Sequence, residues 1–152
     1  MKPWFCPVPD PRTSPEEWPG MLVLASTVLG EAAGEPYEGK LAVADVILNR
    51  VRDARWPDSP EDVCLQHLQF SCWNVGSPTL PKMFNPKQFV TEGVWSDCLR
   101  AAMEATWQPQ QSDTLVHGAN HYLNPRALSK LPKWASDDKI VAQIGRHVFY
   151  RL

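Results

Sequence analysis

Glu31 has the setting that most invites chemistry. The run over residues 21–34 carries no other charge, and within it Leu22, Ala25, Val28, Leu29 and Ala32 recur every three or four residues. That spacing reads as a buried helix stopping near Ala33, with Gly34 and Pro36 closing it. Burial disfavours the charged form of a carboxyl group, and the carbonyl end of a helix does so again, so both push the pKa of Glu31 upward. A carboxyl held neutral near neutral pH is what protonation of a glycosidic oxygen needs, because a sugar departs poorly as an alkoxide. A glutamate hydrogen-bonded to a neighbouring helix end would fit the same pattern, and from these residues alone both readings stand. Glu35 lies four residues on, but Gly34 and Pro36 break the helix between the two. It is read as favouring the positive end of the next helix, not as the second member of a retaining pair.

Other chemistries have weaker claims. His117 and His121 are four apart, and His147 or Cys72 would complete a zinc site of the kind a wall amidase uses. Gly118-Ala119-Asn120 does not read as helical, however, so the spacing need not bring both imidazoles to one face. The four cysteines, Cys6, Cys64, Cys72 and Cys98, have no CxxC spacing and are expected to be free buried thiols. A Cys64–Cys72 or Cys6–Cys98 bridge belongs only to an oxidising compartment. Seven Trp, five Phe and three Tyr exceed what a core of this size requires; they would serve either as core or as the wall of a groove that takes sugar rings.

The elements that must position Glu31 follow from periodicity and punctuation. A chain of 152 residues with 43% apolar content is expected to form one domain. We read residues 1–13 as an irregular arm and 14–152 as the working domain. Ser14-Pro15-Glu16-Glu17 carries a capping signature for a short turn. A second helix is predicted from Pro36 to about Asp53 along Leu41, Ala44, Ile47, Leu48 and Val51. A short third starts at Ser59, and another follows Trp95, Leu99, Ala102, Met103 and Thr106 to about Trp107. Gln69 to Trp73 is predicted as a brief strand, residues 74–86 as an exposed loop beside a cleft, and Leu115-Val116, His121-Tyr122-Leu123 and residues 147–150 as short strands. The sum is a helix-dominated α+β domain.

A formal charge of −2 gives no field for nucleic acid or anionic lipid. Lys40, Arg50, Arg52 and Arg55 are read as a solvated helix face. The start of the chain lacks the apolar core of a signal peptide, and its most apolar run is too short for a membrane span. Synthesis in the cytosol without a signal peptide is therefore the expectation.

Residues 25–51 contain Gly30-Glu31-Ala32, Gly34-Glu35, Gly39, Ala42-Val43-Ala44 and Asn49-Arg50. In order after them come Asp62-Val63, Gln69-Phe70-Ser71, His121-Tyr122 and Gly145, His147, Phe149 and Tyr150. This succession, from about residue 22 to 150, resembles the spore-cortex-lytic, or SleB-like, cell wall hydrolase family. Leu29 departs from it where an aromatic is common, and residues 74–88 look particular to this chain.

The resemblance implies a lysozyme-like fold related to goose-type lysozymes and soluble lytic transglycosylases. Glu31 would be the single acid and base that cleaves peptidoglycan between N-acetylmuramic acid and N-acetylglucosamine. It implies transglycosylation to 1,6-anhydro ends, or hydrolysis by a muramidase on the same site, with no cofactor and no metal. Gln69-Phe70-Ser71 would supply a small sheet beside the cleft, with Ser71 orienting Glu31. His121, Tyr122 and Asn124 would hold the sugar's acetamido group or the catalytic carboxyl, Tyr122 being preferred for that contact. Phe70, Trp73 and Trp134 are the remaining candidates for substrate binding, although Trp73 and Trp134 would serve equally as core. Asn49-Arg50 is expected to fix the end of the second helix through its own last-turn carbonyls. The partner expected is the glycan strand, met by a monomer that binds no nucleic acid and does not insert stably in membrane. A phage or prophage endolysin, acting on the wall after the membrane is breached, is the expected setting, with an accessory bacterial hydrolase as the runner-up. A non-catalytic wall-binding module is the rival from another class.

Overall fold

Helix α1, Gly20–Ala32, is apolar or small on every side, and residues 22–29 are buried without interruption. A helix with no polar face must lie inside other elements. It packs against α2 (Tyr37–Val51), α3 (Pro60–Leu65), α4 (Leu80–Phe84) and α6 (Glu92–Trp107). Small residues on α6, Ala101, Ala102 and Ala105, are fully buried and let that helix approach α1 and α2 closely. The computed structural model describes residues 4–109 and 113–152, so the first three residues of the expected arm lie outside the described residues. Between Trp4 and Ser14 there is no helix or strand; the segment is tied down where the Trp95 indole donates to the Pro7 carbonyl at 2.8 Å. The capping signature is present, with the Ser14 amide donating to the Glu17 carboxylate at 2.9 Å. Ser59 likewise caps α3, its hydroxyl accepting from the Asp62 amide at 3.2 Å.

Three short strands, β1 (His121–Leu123), β2 (Ile140–Ile144) and β3 (His147–Tyr150), form an antiparallel sheet in the order β1-β3-β2. Tyr122 stands opposite Phe149 and His121 opposite Tyr150. Alternation then splits the sheet into two faces. Tyr122, His147 and Phe149 are in mutual ring contact on the face that carries Phe149 to Ala42 and Val46 of α2. Leu123, Val148 and Tyr150 face the other way, onto Ala135 and Trp134.

Three expectations about secondary structure fail. Residues 69–73 form no strand: Ser71–Trp73 is a 3-10 turn, because Phe70 and Cys72 are buried among helices and no strand among the described residues runs beside them. Residues 74–86 are not one open loop. Leu80, Met83 and Phe84 keep helical spacing in α4, and a further turn of helix, α5 (Pro86–Phe89), follows. Prolines at the first or second helical position hid both, although proline is tolerated there. Leu115 lies in a 3-10 turn, not a strand, and Val116 is buried against α2. The helix-dominated α+β reading with a small sheet holds; the sheet comes wholly from the last third of the chain.

Candidate active site

Glu31 occupies the last turn of α1. Gly30 explains how the helix can be enclosed there: a Cβ at this position would meet the Met83 sulfur at 2.6 Å and the Cys72 Cβ at 2.8 Å. Only glycine lets α4 and the 71–73 turn close against the back of the helix. Trp73 reinforces this packing, donating its indole N–H to the Thr27 hydroxyl at 2.9 Å and contacting Trp18 and Phe84. The front of Glu31 opens into a depression that it shares with Ala32, Gly34, Glu35, Asn124, Arg146 and His147.

The Tyr122 hydroxyl donates to Glu31 Oε1 at 2.8 Å. Oε2 takes no hydrogen bond from the described residues. Burial raises the pKa of Glu31, opposed by the Tyr122 hydrogen bond and by the charge of Arg50. Tyr122 is itself pushed well above the ordinary phenol value, first by burial and then by Glu31, so it remains a neutral donor. With the phenol proton on Oε1, the acid proton of the neutral form belongs on Oε2, the oxygen without a protein partner.

Glu35 lines the same depression with a different environment. Its Oε1 accepts from the Arg146 amide at 3.0 Å and lies 3.4 Å from His147 Nδ1, while both side chains are under a tenth exposed. Gly145, at φ 57°, packs directly on the Glu35 carboxylate. Lys40 donates to the Glu35 carbonyl. The carboxylate thus clasps the β2–β3 turn. Its contacts are to that turn, not the helix dipole expected from sequence. Burial lowers the pKa of His147, opposed by Glu35.

The other expected site residues scatter. Asn124 lines the depression while its Oδ1 accepts from the Arg126 amide at 3.1 Å. Ser71 is exposed on its 3-10 turn and makes no hydrogen bond to Glu31 among the described residues; the hydroxyl that orients Glu31 is that of Tyr122. Phe70 is buried beneath Arg50 and offers no face to a ligand. Trp73 is committed to the packing behind α1. His121 and Trp134 are half-buried on the opposite side of β1 from Tyr122, ring centroids 4.8 Å apart, with Trp56 and Tyr150 extending the row. Burial, helped by Arg50 and Arg55, lowers the His121 pKa to about 4. His117 is exposed in a turn, and no group of three or more His, Cys, Asp or Glu among the described residues is placed to hold a metal ion. The cysteines stand as free thiols, and burial pushes Cys64 and Cys98 up to about 12.

The basic cluster is not a solvated face. Lys40 and Arg50 are buried, only Arg52 and Arg55 being exposed. Nor do Asn49 and Arg50 cap their own helix: they reach across to the Ala119 and Asn120 carbonyls, at 2.9 and 2.8 Å, ahead of β1. The signal for Arg50 was in its spacing, three and four residues past Ile47 and Val46 on the apolar stripe.

A long buried helix ending in an enclosed acid, faced by a tyrosine from a three-stranded sheet, defines a lysozyme-like domain, and the chain belongs to the Cell Wall Hydrolase family, whose profile matches residues 34–150. Among its relatives are the spore cortex-lytic enzymes of Oceanobacillus iheyensis and Bacillus subtilis. Each is 32% identical over 127 residues, 84% of this chain. The chain spans 40% of the first and 36% of the second. Two solved structures share the fold. The catalytic domain of the germination-specific lytic transglycosylase SleB from Bacillus anthracis superposes with a TM-score of 0.64 at 27% identity, covering 91% of this chain and all of that one. The catalytic domain of Bacillus cereus SleB gives 0.59 at 28% identity, over 87% of this chain and 89% of that one.

Proposed function

We propose that this chain cleaves the β-1,4 bond between N-acetylmuramic acid and N-acetylglucosamine in peptidoglycan as a lytic transglycosylase, with Glu31 as its acid and base. The observation that carries the reading is the unequal treatment of the two oxygens of a cleft-lining Glu31, Oε1 held by Tyr122 and Oε2 without a hydrogen-bond donor among the described residues. Neutral Glu31 passes its Oε2 proton to the glycosidic oxygen as the bond to the muramic C1 breaks. The cation that develops at C1 is met by the substrate's own acetamido carbonyl, so no second carboxylate is required. The C6 hydroxyl then attacks C1 and returns its proton to Glu31, closing the 1,6-anhydro ring and restoring the acid. Glu35, closed by Arg146, His147 and Gly145, is not placed to serve as a retaining nucleophile. The kinship with SleB catalytic domains supports the same chemistry.

Mass spectrometry of the fragments released from purified peptidoglycan tests this. Fragments lighter than hydrated muropeptides by one water mark the transglycosylase. Hydrated muramic ends would make it a muramidase on the same site. Binding without cleavage, unchanged in Glu31→Gln, would make it a wall-binding module.

The setting we propose is lysis of a host cell from within: a monomer made in the cytosol reaches the wall once the inner membrane is breached. Among the described residues no helix is long and apolar enough to cross a membrane. Cells producing the protein should clear only after chemical permeabilisation of that membrane. Clearing before it, or none after it, would reject the setting.

A further inference from the structure

We infer that Arg50 is a positioning residue for the Glu31 carboxyl group, anchoring the backbone that leads into Tyr122 and supplying the buried cation that favours the carboxylate left after proton donation. The inference rests on the reading of Glu31 as acid and base.

Arg50 is 7% exposed, near the end of α2. Arginine is almost never buried so fully without a carboxylate partner. Here no carboxylate among the described residues lies within ion-pair distance of it. Its Nε donates to the Asn120 carbonyl at 2.8 Å, and its guanidinium lies 5.4 Å from the Trp56 ring and 5.5 Å from that of Phe70. Two aromatic faces and one carbonyl soften the desolvation of the charge without neutralising it. The Asn120 contact lies two residues before Tyr122, and neighbouring Asn49 holds the Ala119 carbonyl, so the end of α2 fixes the backbone that carries the Tyr122 hydroxyl to Glu31.

The groups facing Glu31 show what the charge is for. Tyr122 comes from β1, Arg50 from α2, and the thiols of Cys64 and Cys72 lie behind, from α3 and the 71–73 turn. Glu35, His147 and the exposed Arg146 line the cleft in front. Arg50 is the one buried guanidinium among them. Its field favours ionised Glu31, and Glu31 in turn favours the charged form of Arg50. A direct ion pair would hold Glu31 ionised at rest and abolish the acid. Held off by Asn120 and the two rings, Arg50 leaves the net shift of Glu31 upward while lowering the cost of the carboxylate that must exist between the two proton transfers.

The test compares Arg50→Met and Arg50→Gln, which lose the charge, with Arg50→Lys, which keeps it. Glu31 ionisation is followed without substrate by carbon NMR of labelled glutamate, with Glu31→Gln identifying the signal. Activity on peptidoglycan is followed as kcat and KM against pH. Glu31 must be protonated to start the reaction, so activity falls as pH rises through its pKa. The neutral variants should titrate Glu31 at higher pH and move that limb with it, lowering kcat on the order of tenfold with little change in KM. Arg50→Lys should restore the position of the limb. A Glu31 titration unmoved in whichever neutral variant folds overturns the inference, as does a limb that Lys fails to restore. If wild type releases no glycan fragments while the titration still moves, the coupling stands and the catalytic reading falls instead.

Discussion

Glu31 and Glu35 flank the turn between α1 and α2 and line one cleft, yet their surroundings are built to opposite ends. Around Glu35 a backbone amide, an imidazole and a glycine packed against the carboxylate leave little room for anything else. Around Glu31 one oxygen is held by a phenol and the other takes no hydrogen bond among the described residues. A carboxylate closed in by such contacts spends its hydrogen bonds on the fold. An acid must keep one oxygen unsatisfied and its charged form uncomfortable. Two glutamates four residues apart are therefore treated differently by the fold, one closed onto the β2–β3 turn and the other held by a single phenol in the role proposed for it.

The sharpest way to break this contrast is to exchange the roles. Glu31→Gln should lower release of glycan fragments by at least about a thousandfold, since it removes both proton transfers of the cycle. The far-ultraviolet dichroism should stay unchanged. Glu35→Gln should keep a large share of activity at temperatures where it is folded. Equal losses in the two folded variants would dissolve the distinction. Tyr122→Phe comes next: it removes a hydrogen bond to a group that becomes charged, which is worth about 1.5–3 kcal/mol. A fall in kcat of roughly ten- to a hundredfold is expected. That hydrogen bond lowers the pKa of Glu31, so the high-pH limb of the profile should move upward. A profile that keeps its shape in Tyr122→Phe would mean that the hydroxyl does not touch the acid in solution.

The Glu35 side of the contrast is tested at Gly145. At φ 57°, with its Cβ position occupied by the Glu35 carboxylate, it should not accept alanine without strain. Gly145→Ala should cost about 1–3 kcal/mol of stability, read from urea unfolding. Combining it with Glu35→Gly should recover part of that loss, because the clash is then gone and only the backbone strain remains. No recovery would show that the two residues do not press on one another.

What sequence could reveal divides along the same line. The seclusion of Glu31 was legible because a lone charge in an apolar helix is a local anomaly, but its choice over a structural role came only with the family resemblance. The helices α1, α2 and α6 were legible because their stripes run for several turns. The clasp on Glu35 joins residues more than a hundred positions apart, and nothing in local spacing announces that Arg146 will offer its amide. Arg50 was visible as a residue and misjudged as a cap, since its partner carbonyl is seventy positions away. The segment from Gln69 to Pro86 was misread for another reason. Prolines at helix starts look like breakers in a short window, and Phe70 with Cys72 looks like a strand until the helices they pack against are known.

The smallest expected effect tests the Glu31 side of the contrast by stability alone. Burial raises the pKa of Glu31 in the folded state, so the folded protein binds that proton more tightly than the unfolded chain. The stability this contributes is fully present below the unfolded pKa and is lost as pH rises through the folded one. Glutamine cannot ionise, so Glu31→Gln should gain on wild type as pH rises, by roughly 3 °C in Tm above neutrality, on the order of 1 kcal/mol. His147 acts in the opposite direction. Its folded pKa is depressed below 6.5, so its contribution is present above that value and is lost as pH falls through the folded pKa. Scanning calorimetry of wild type and Glu31→Gln from acid to alkaline pH should therefore show the two proteins falling together on the acid side, where His147 is common to both, and diverging on the alkaline side. Divergence at low pH instead would mean that Glu31 is stabilised as an anion in the fold, and the acid would have to be sought elsewhere.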